Sequence, residues 1–338
     1  MEALAVKYRP KTFEDVVSQN AIIRILRKQI ELKQFKNCYL FCGASGCGKT
    51  TVARIFANAI NQGNGNPIEI DAASNNGVDN VRQLIKTASE RSLDSEYKII
   101  IIDECHALTT QAWQAFLKCI EEPPMYTIFI FCTTDPQKIP ATIINRTMRF
   151  NFSRITEEKI KERLLKICNA EGYVNYQEGC DYISRISNGG MRDAIATLNK
   201  CADYDIDLSI ENVLKAIGDF SYQTLFDLVN YCIDGNEASA LEIVNTIFMN
   251  GADMTLFVEN MFRFTMDIMK YLIVPDIRFT SLPSNYEDMV KQLINFDNAK
   301  QYYYYLVDKM FKLRTAIKND PNVKSIIEVF ILEICRCV

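Results

Sequence analysis

The run Gly43-Ala44-Ser45-Gly46-Cys47-Gly48-Lys49-Thr50 has the spacing with which a backbone wraps a phosphate. Its glycines let the chain curl until successive N–H groups face one point, and a helix starting where the run ends adds positive potential there. Lys49 is placed to reach the β- and γ-phosphates of a nucleotide, and Thr50 to ligate magnesium, with Thr51 closing the nucleotide-facing stretch. Further on, Asp103-Glu104 ends the apolar run YKIIII. An acid pair at the carboxyl end of a buried strand suits a magnesium–nucleotide site. Asp103 would hold the hydrated ion and Glu104 would polarise an attacking water. The plain alternative is a charged turn after a strand. His106 follows as a structural residue or a contact to this network, with no catalytic role assigned. Thr133-Thr134-Asp135 ends another apolar run, where a hydroxyl could bond the γ-phosphate or the water, or Thr133 could cap the turn. Arg146, in INRTMRF, suits a finger inserted into a neighbouring molecule's site or an ordinary surface ion pair. Arg192, in GGMRDAI, could swing onto a γ-phosphate or pair with Asp193.

These groups need elements to hold them. CYLFC (38–42) reads as a short buried strand, followed by a helix with Val52, Ile55, Phe56 and Ala59 on one face. A strand at 67–74, a helix at 79–90 and the strand 97–103 come next. Continuous apolar character in the last predicts burial on both faces, as in a parallel sheet. Thr109 or Thr110 caps a helix bearing Trp113, Phe116, Leu117 and Ile120, which Pro123 and Pro124 stop. Strands follow at 127–134 and 148–152. The alternation predicts a layered α/β domain whose polar motifs all fall at the carboxyl ends of strands, where ligands bind such sheets. Beyond 153 the strand signals end. Helices are expected at 156–172, 176–187, 191–202 and 209–218, then a mainly helical region to 338 broken at SLPSN (281–285). The resulting division is 1–153, 154–218 and 219–338. The aromatic stripe QYYYYLVDKMFKL (301–313) suits core or subunit contact better than a nucleic-acid platform.

Composition narrows the classes. The 338 residues are 48% hydrophobic and 24% charged, which excludes a largely disordered chain. Lys and Arg number 38 against 42 Asp and Glu, a balance of −4, so any nucleic-acid contact must use a local basic face. No apolar run reaches the length of a membrane span, and the amino terminus has no signal-peptide core. The expected location is the cytoplasm. Twelve cysteines are scattered without a CxxC pair, and there is one histidine, so neither a zinc site nor a disulfide scaffold is expected.

KYRPKTFEDVV, GASGCGKTT, EIDAASNNGVDNVR, IIIIDECHALTTQAWQAFLKCIEEPP, TTDPQKIPATIINR and NGGMRDA follow one another in order. This series closely resembles the ATPase subunit of sliding-clamp loaders, nearest to the bacterial DNA polymerase III gamma/tau family and more distantly to the replication factor C small subunits. The likeness covers about 1–218 strongly, and 219–338 only by length and helical character. It implies an AAA+ module, a helical lid and a helical collar that holds a pentameric ring with other loader subunits. It places Tyr8, Arg9 and Pro10 by the adenine, with Val16 and Val17 nearby. Asp103 and Glu104 match the Walker B acids, Thr134 sensor 1, Arg192 the sensor 2 arginine, and Arg146 the finger that completes the adjacent subunit's site. Arg82 matches a DNA-facing arginine, or is a plain solvent-exposed helix arginine, and helix-start amides near Asn76 to Asn80 could hold a DNA phosphate. The implied function is ATP- and Mg²⁺-dependent opening of a sliding clamp and its placement on primer–template DNA. A structural ring subunit with little hydrolysis and a branch-migration motor are the alternatives. Intact Lys49 and Glu104 speak against the first, and the EEPP and TTDPQK blocks against the second.

Three departures from the family pattern stand out. NQGNGNP (61–67) fills the place where a four-cysteine zinc module usually sits, so no zinc is expected. The Ser-Arg-Cys triplet reads Asn145-Arg146-Thr147. The chain is expected to lack a tau-like extension, which suggests a bacteriophage or a divergent bacterium as its source.

Overall fold

Five parallel strands run side by side in the order β2-β3-β4-β1-β5: β1 Cys38–Cys42, β2 Ile68–Asp71, β3 Lys98–Asp103, β4 Thr127–Thr133 and β5 Met148–Asn151. The computed structural model describes residues 3–92, 94–218, 220–282, 286–320 and 322–335. Residues 283–285 of the expected break at SLPSN lie outside the described residues.

The apolar runs are continuous because the sheet is covered on both sides. Tyr39 and Phe41 of β1, Ile99 and Ile101 of β3, and Ile128, Ile130 and Cys132 of β4 face one layer, where they meet α2 (Asn20–Leu32) and α3 (Lys49–Ile60). Cys38, Leu40 and Cys42, then Ile100 and Ile102, then Phe129 and Phe131 face the other. There they meet α4 (Val78–Ser89), α5 (Thr110–Glu121) and the short α6 (Ala141–Ile144). Alternate residues point to opposite faces of a strand, so a strand buried on both sides must be apolar throughout. Aromatic rings fill both layers: Tyr39 meets Phe56 edge-on at 5.2 Å, and Phe116 meets Phe131 edge-on at 5.5 Å. Edge strand β2 alternates half-buried and exposed residues.

Of the two capping threonines considered for α5, Thr109 takes the role: its hydroxyl accepts the N–H of Ala112. The turn 61–67 is pinned by Asn61, whose amide group donates to the carbonyl of Tyr97 at 2.8 Å and accepts its N–H at 3.0 Å.

The chain divides into two compact units, Met1–Ile206 and Asp207–Val338. The first adds to the sheet a short α1 (Leu4–Lys7) and the helices α7 (Glu157–Glu171), α8 (Tyr176–Ile186) and α9 (Met191–Tyr204). Gly172 ends α7 with a φ of +77°, a conformation that costs glycine little. The second unit is helical: α10 (Ile210–Ile217), α11 (Tyr222–Ile233), α12 (Glu237–Met249), α13 (Met254–Ile273), α14 (Glu287–Ile294), α15 (Ala299–Ala316) and α16 (Val323–Cys335). The stretch expected to form a lid, 154–218, is thus shared between the units, with α10 in the second. Helix α15 carries the aromatic stripe. Tyr302, Tyr303, Leu306 and Met310 lie in the core and Tyr304 is exposed, as expected for a packing stripe.

Candidate nucleotide site

The loop 43–48 leaves the end of β1 and turns directly into α3. Gly46 and Gly48 have φ of +71° and +100°, which a side chain would oppose. The close approach is at Gly46: a Cβ there would stand 2.9 Å from Cα of Gly190, at the start of α9. The N–H of Met191 donates to the carbonyl of Gly46 at 3.0 Å, and that of Ile155 to Gly189 at 3.1 Å. Loop and helical corner therefore touch backbone to backbone. Gly46→Ala is expected to destabilise the first unit by about 1–2 kcal/mol from the left-handed backbone alone. That lowers the unfolding midpoint by a few degrees in a thermal melt. An unchanged midpoint would contradict the left-handed backbone at Gly46.

Lys49 is only 5% exposed. Its ammonium donates to the carbonyls of Gly43 at 2.8 Å and Ala44 at 3.0 Å, so the buried charge is parked on its own loop. Beyond Gly48, by contrast, a Cβ would meet nothing within 4 Å, leaving room in front of the loop for a bound group. The hydroxyl of Thr50 donates to Asp103 Oδ2 at 2.8 Å. These adjacent oxygens are hard donors of the kind magnesium takes beside phosphate oxygens and water, so the residues fit that ion.

Because β4 lies beside β3, Thr134 reaches the second acid. Its hydroxyl donates to Glu104 Oε2 at 2.9 Å, while the hydroxyl of Thr133 accepts the N–H of Asp135 at 3.0 Å and caps the turn. Thr133 thus takes the capping role considered for it, and Thr134 bonds the second acid. Glu104 has φ +45° and ψ 42°, a left-handed conformation unusual for a residue with a side chain, and such strain gathers at functional sites. His106 Nδ1 stands 3.2 Å from the same carboxylate oxygen, so the histidine does touch this network.

The cleft above these groups is lined by Tyr8, Arg9, Pro10, Val16 and Val17, by the loop from Ser45 to Thr51, by Asp103 and Glu104, and by Arg163, Met191, Arg192 and Ile195. Arg192 is exposed and forms no ion pair among the described residues, so the expected alternative pairing with Asp193 is not made. Burial, reinforced by the neighbouring Arg54 and Arg192, holds the Arg9 guanidinium below its ordinary value, while Glu69 and Asp103 act the other way. Like charges gathered in one cleft are an arrangement that a polyanion relieves.

Sequence reading missed the residues that secure the amino-terminal segment. Arg163, on α7, donates to the carbonyl of Tyr8 at 2.8 Å. Glu171 accepts from the Tyr8 hydroxyl and, at 2.6 Å, from Lys7. The Tyr8–Glu171 hydrogen bond is the main reason the Tyr8 phenol is pushed up to about 12. Gln19, buried at φ +63°, donates to the carbonyl of Ser153 at 2.7 Å and so ties the start of α2 to the exit of β5.

Thr134 meets the cleft only through Glu104, while Arg146 and the residues expected to face DNA lie apart from the cleft lining. Arg146 donates to the carbonyl of Thr142 at 2.9 Å and pairs with Glu121 Oε1 at 2.8 Å. Arg82 pairs with Asp79 at 3.1 Å on the exposed face of α4. Asn76, also exposed, offers its carbonyl to the N–H of Thr109. Among the described residues no group of three or more His, Cys, Asp or Glu side chains is placed to hold a metal, and eleven cysteines are free and buried. No helix among them is long and apolar enough to cross a membrane.

A family model described as DNA polymerase III subunits gamma and tau domain III matches residues 208–337, and one described as DNA polymerase III, delta subunit matches 61–156. The DNA polymerase III subunit tau of Bacillus subtilis (strain 168) is 35% identical over 357 residues, covering 99% of this chain and 63% of that protein. The chain belongs to the DNA polymerase III gamma/tau family. The gamma/tau subunit of Mycoplasma genitalium is 32% identical over 89% of this chain and 53% of its own length. The tau subunit of Escherichia coli (strain K12) is 30% identical over 75% and 43%. The chain therefore spans between 43% and 63% of these three relatives. The resemblance read from the six motifs is borne out. The gamma and tau match also reaches the helices after 208, where the motifs offered only length and helical character. Among solved structures, the RuvB Holliday junction branch migration motor of Thermotoga maritima superposes with a TM-score of 0.53 at 18% identity, over 67% of this chain and 79% of that one. At that identity the likeness is one of fold: a parallel sheet flanked by helices.

Proposed function

We propose that this gamma/tau-family chain is an ATP-hydrolysing motor subunit of a sliding-clamp loader. The observation that carries the reading is the separation of the two acids at the cleft floor. Asp103 lies against Thr50, the hydroxyl of the glycine-rich loop, and Glu104 against Thr134, just past the end of the neighbouring strand β4. One acid is thus given to the metal side and the other to the water side. Thr50 and Asp103 would hold Mg²⁺, which when bound neutralises phosphate charge. Lys49 leaves its loop carbonyls for the β- and γ-phosphates, and Arg192 closes on the γ-phosphate from α9. Tyr8, Arg9, Pro10, Val16 and Val17 enclose the base. Glu104 takes up the proton of the attacking water.

Arg146 is read as a finger for the adjacent subunit of a pentameric ring, with Glu121 holding it until that subunit docks. Arg82 and the start of α4 near Asn76 face primer–template DNA and recognise phosphates rather than bases, so binding weakens with salt. The division into module, lid and collar near 153 and 218, a cytoplasmic location and the absence of zinc belong to the same proposal.

The test is loading itself. The chain is assembled with partner loader subunits, and a labelled clamp is followed onto primed circular DNA. ATP-dependent retention of the clamp on the circle, lost in Lys49→Ala, is expected. Retention that is indifferent to ATP or to this chain would refute the reading.

A further inference from the structure

His106 is the only histidine in the chain. It sits in the tight turn Cys105–Ala107 that follows the acid pair, with its side chain 21% exposed. Its Nδ1 lies 3.2 Å from Glu104 Oε2 and 3.3 Å from Thr133 Oγ1. Thr134 donates to that same Oε2. An ionised carboxylate oxygen can only accept, so a bare Nδ1 would set one lone pair against another. A proton on Nδ1 removes that clash. Thr133 Oγ1, which already accepts the N–H of Asp135, has a second lone pair to share that Nδ1–H.

We propose that His106 is a positioning residue for Glu104. In its Nδ1–H tautomer it holds Oε2 together with Thr134 and leaves Oε1 as the oxygen that meets the attacking water. The inference deepens the motor reading and rests on it for the role of Glu104. Two donors on one oxygen orient a carboxylate that a single hydroxyl would leave free to rotate. They also brace the strained backbone from which Glu104 projects. The ring touches neither Lys49 nor Thr50 at hydrogen-bonding distance, so its effect falls on hydrolysis and spares nucleotide binding.

Two measurements test this. With a single histidine, ¹⁵N-labelled protein gives one set of ring-nitrogen signals. The proposal expects a proton on Nδ1 and a bare Nε2 in the neutral ring, and a change in that tautomer in Glu104→Ala. A neutral ring protonated on Nε2 would overturn it. In the assembled loader, His106→Ala is expected to lower kcat about 10-fold or more while KM for ATP moves by no more than about twofold. His106→Asn, whose side-chain N–H can take the place of Nδ1–H, should recover most of the rate. His106→Gln, whose donor lies further out, should not. A kcat for His106→Ala within about twofold of wild type would overturn the proposal. Wild-type protein that shows the Nδ1–H tautomer but hydrolyses no ATP in any assembly would refute the motor reading and leave the ring–carboxylate contact established.

Discussion

Replacing Glu104 by Gln is expected to leave ATP bound while steady-state hydrolysis falls by about 100- to 10,000-fold, the range for loss of a general base. Gln keeps the side chain's length and an oxygen to accept from Thr134, which donates at 2.9 Å, so the floor of the cleft stays built. It cannot take up a proton at neutral pH. The groups proposed to bind phosphate are separate: Lys49 rests on Gly43 and Ala44, and Thr50 bonds Asp103, not Glu104. Nucleotide affinity by fluorescence titration and turnover by phosphate release therefore answer different questions. Hydrolysis within a few-fold of wild type would remove Glu104 from the chemistry. Lost affinity with it would make Glu104 a ligand to the nucleotide or its metal.

The second large effect belongs to Arg146. An arginine finger contributes about 1,000-fold or more to phosphoryl transfer. Here Arg146 is held by Glu121 and the carbonyl of Thr142 and is not among the residues that line the chain's own cleft. The ion pair with Glu121 is half exposed, and such surface pairs contribute little, so exchanging that partner for a phosphate in an adjacent site costs little. Arg146→Ala should bind ATP as wild type does and lose nearly all hydrolysis that depends on assembly. A mixing experiment separates the two sites. Arg146→Ala chains keep a complete cleft, and Glu104→Gln chains keep a complete finger. Where the two become neighbours, mixed assemblies should hydrolyse faster than either pure one. Equal inactivity in every mixture would mean that Arg146 acts within its own chain or only supports the fold.

What the sequence disclosed depended on how local each signal was. The glycine-rich loop 43–50 and the acid pair were legible because each is compressed into adjacent residues. The strands were legible because burial on both faces forces an unbroken apolar run, as in Ile99–Ile102, whose alternate residues serve different layers. Thr133 and Thr134 could not be told apart by type. Their different hydrogen bonds follow from β4 lying beside β3, a pairing made over long sequence separation. Arg163 and Glu171 were invisible for a related reason: they sit in the charged helix EEKIKERLLKICNAE, where one more charge carries no mark. Only the packing of that helix against the segment 4–10 gives them Tyr8. Gln19 escaped because a buried glutamine bonding backbone leaves no periodic trace. The second unit showed helical spacing but no chemistry, and its family became clear only by comparison with the gamma and tau domain III model.

The most direct measurement is the steady-state rate of ATP hydrolysis by the purified chain, alone and then with partner loader subunits, clamp and primer–template DNA added one at a time. A slow rate for the chain alone is expected, with strong stimulation that requires both clamp and primed DNA. Tight ATP binding and proven assembly without hydrolysis in any combination would contradict the motor reading and leave a structural nucleotide-binding ring subunit in its place.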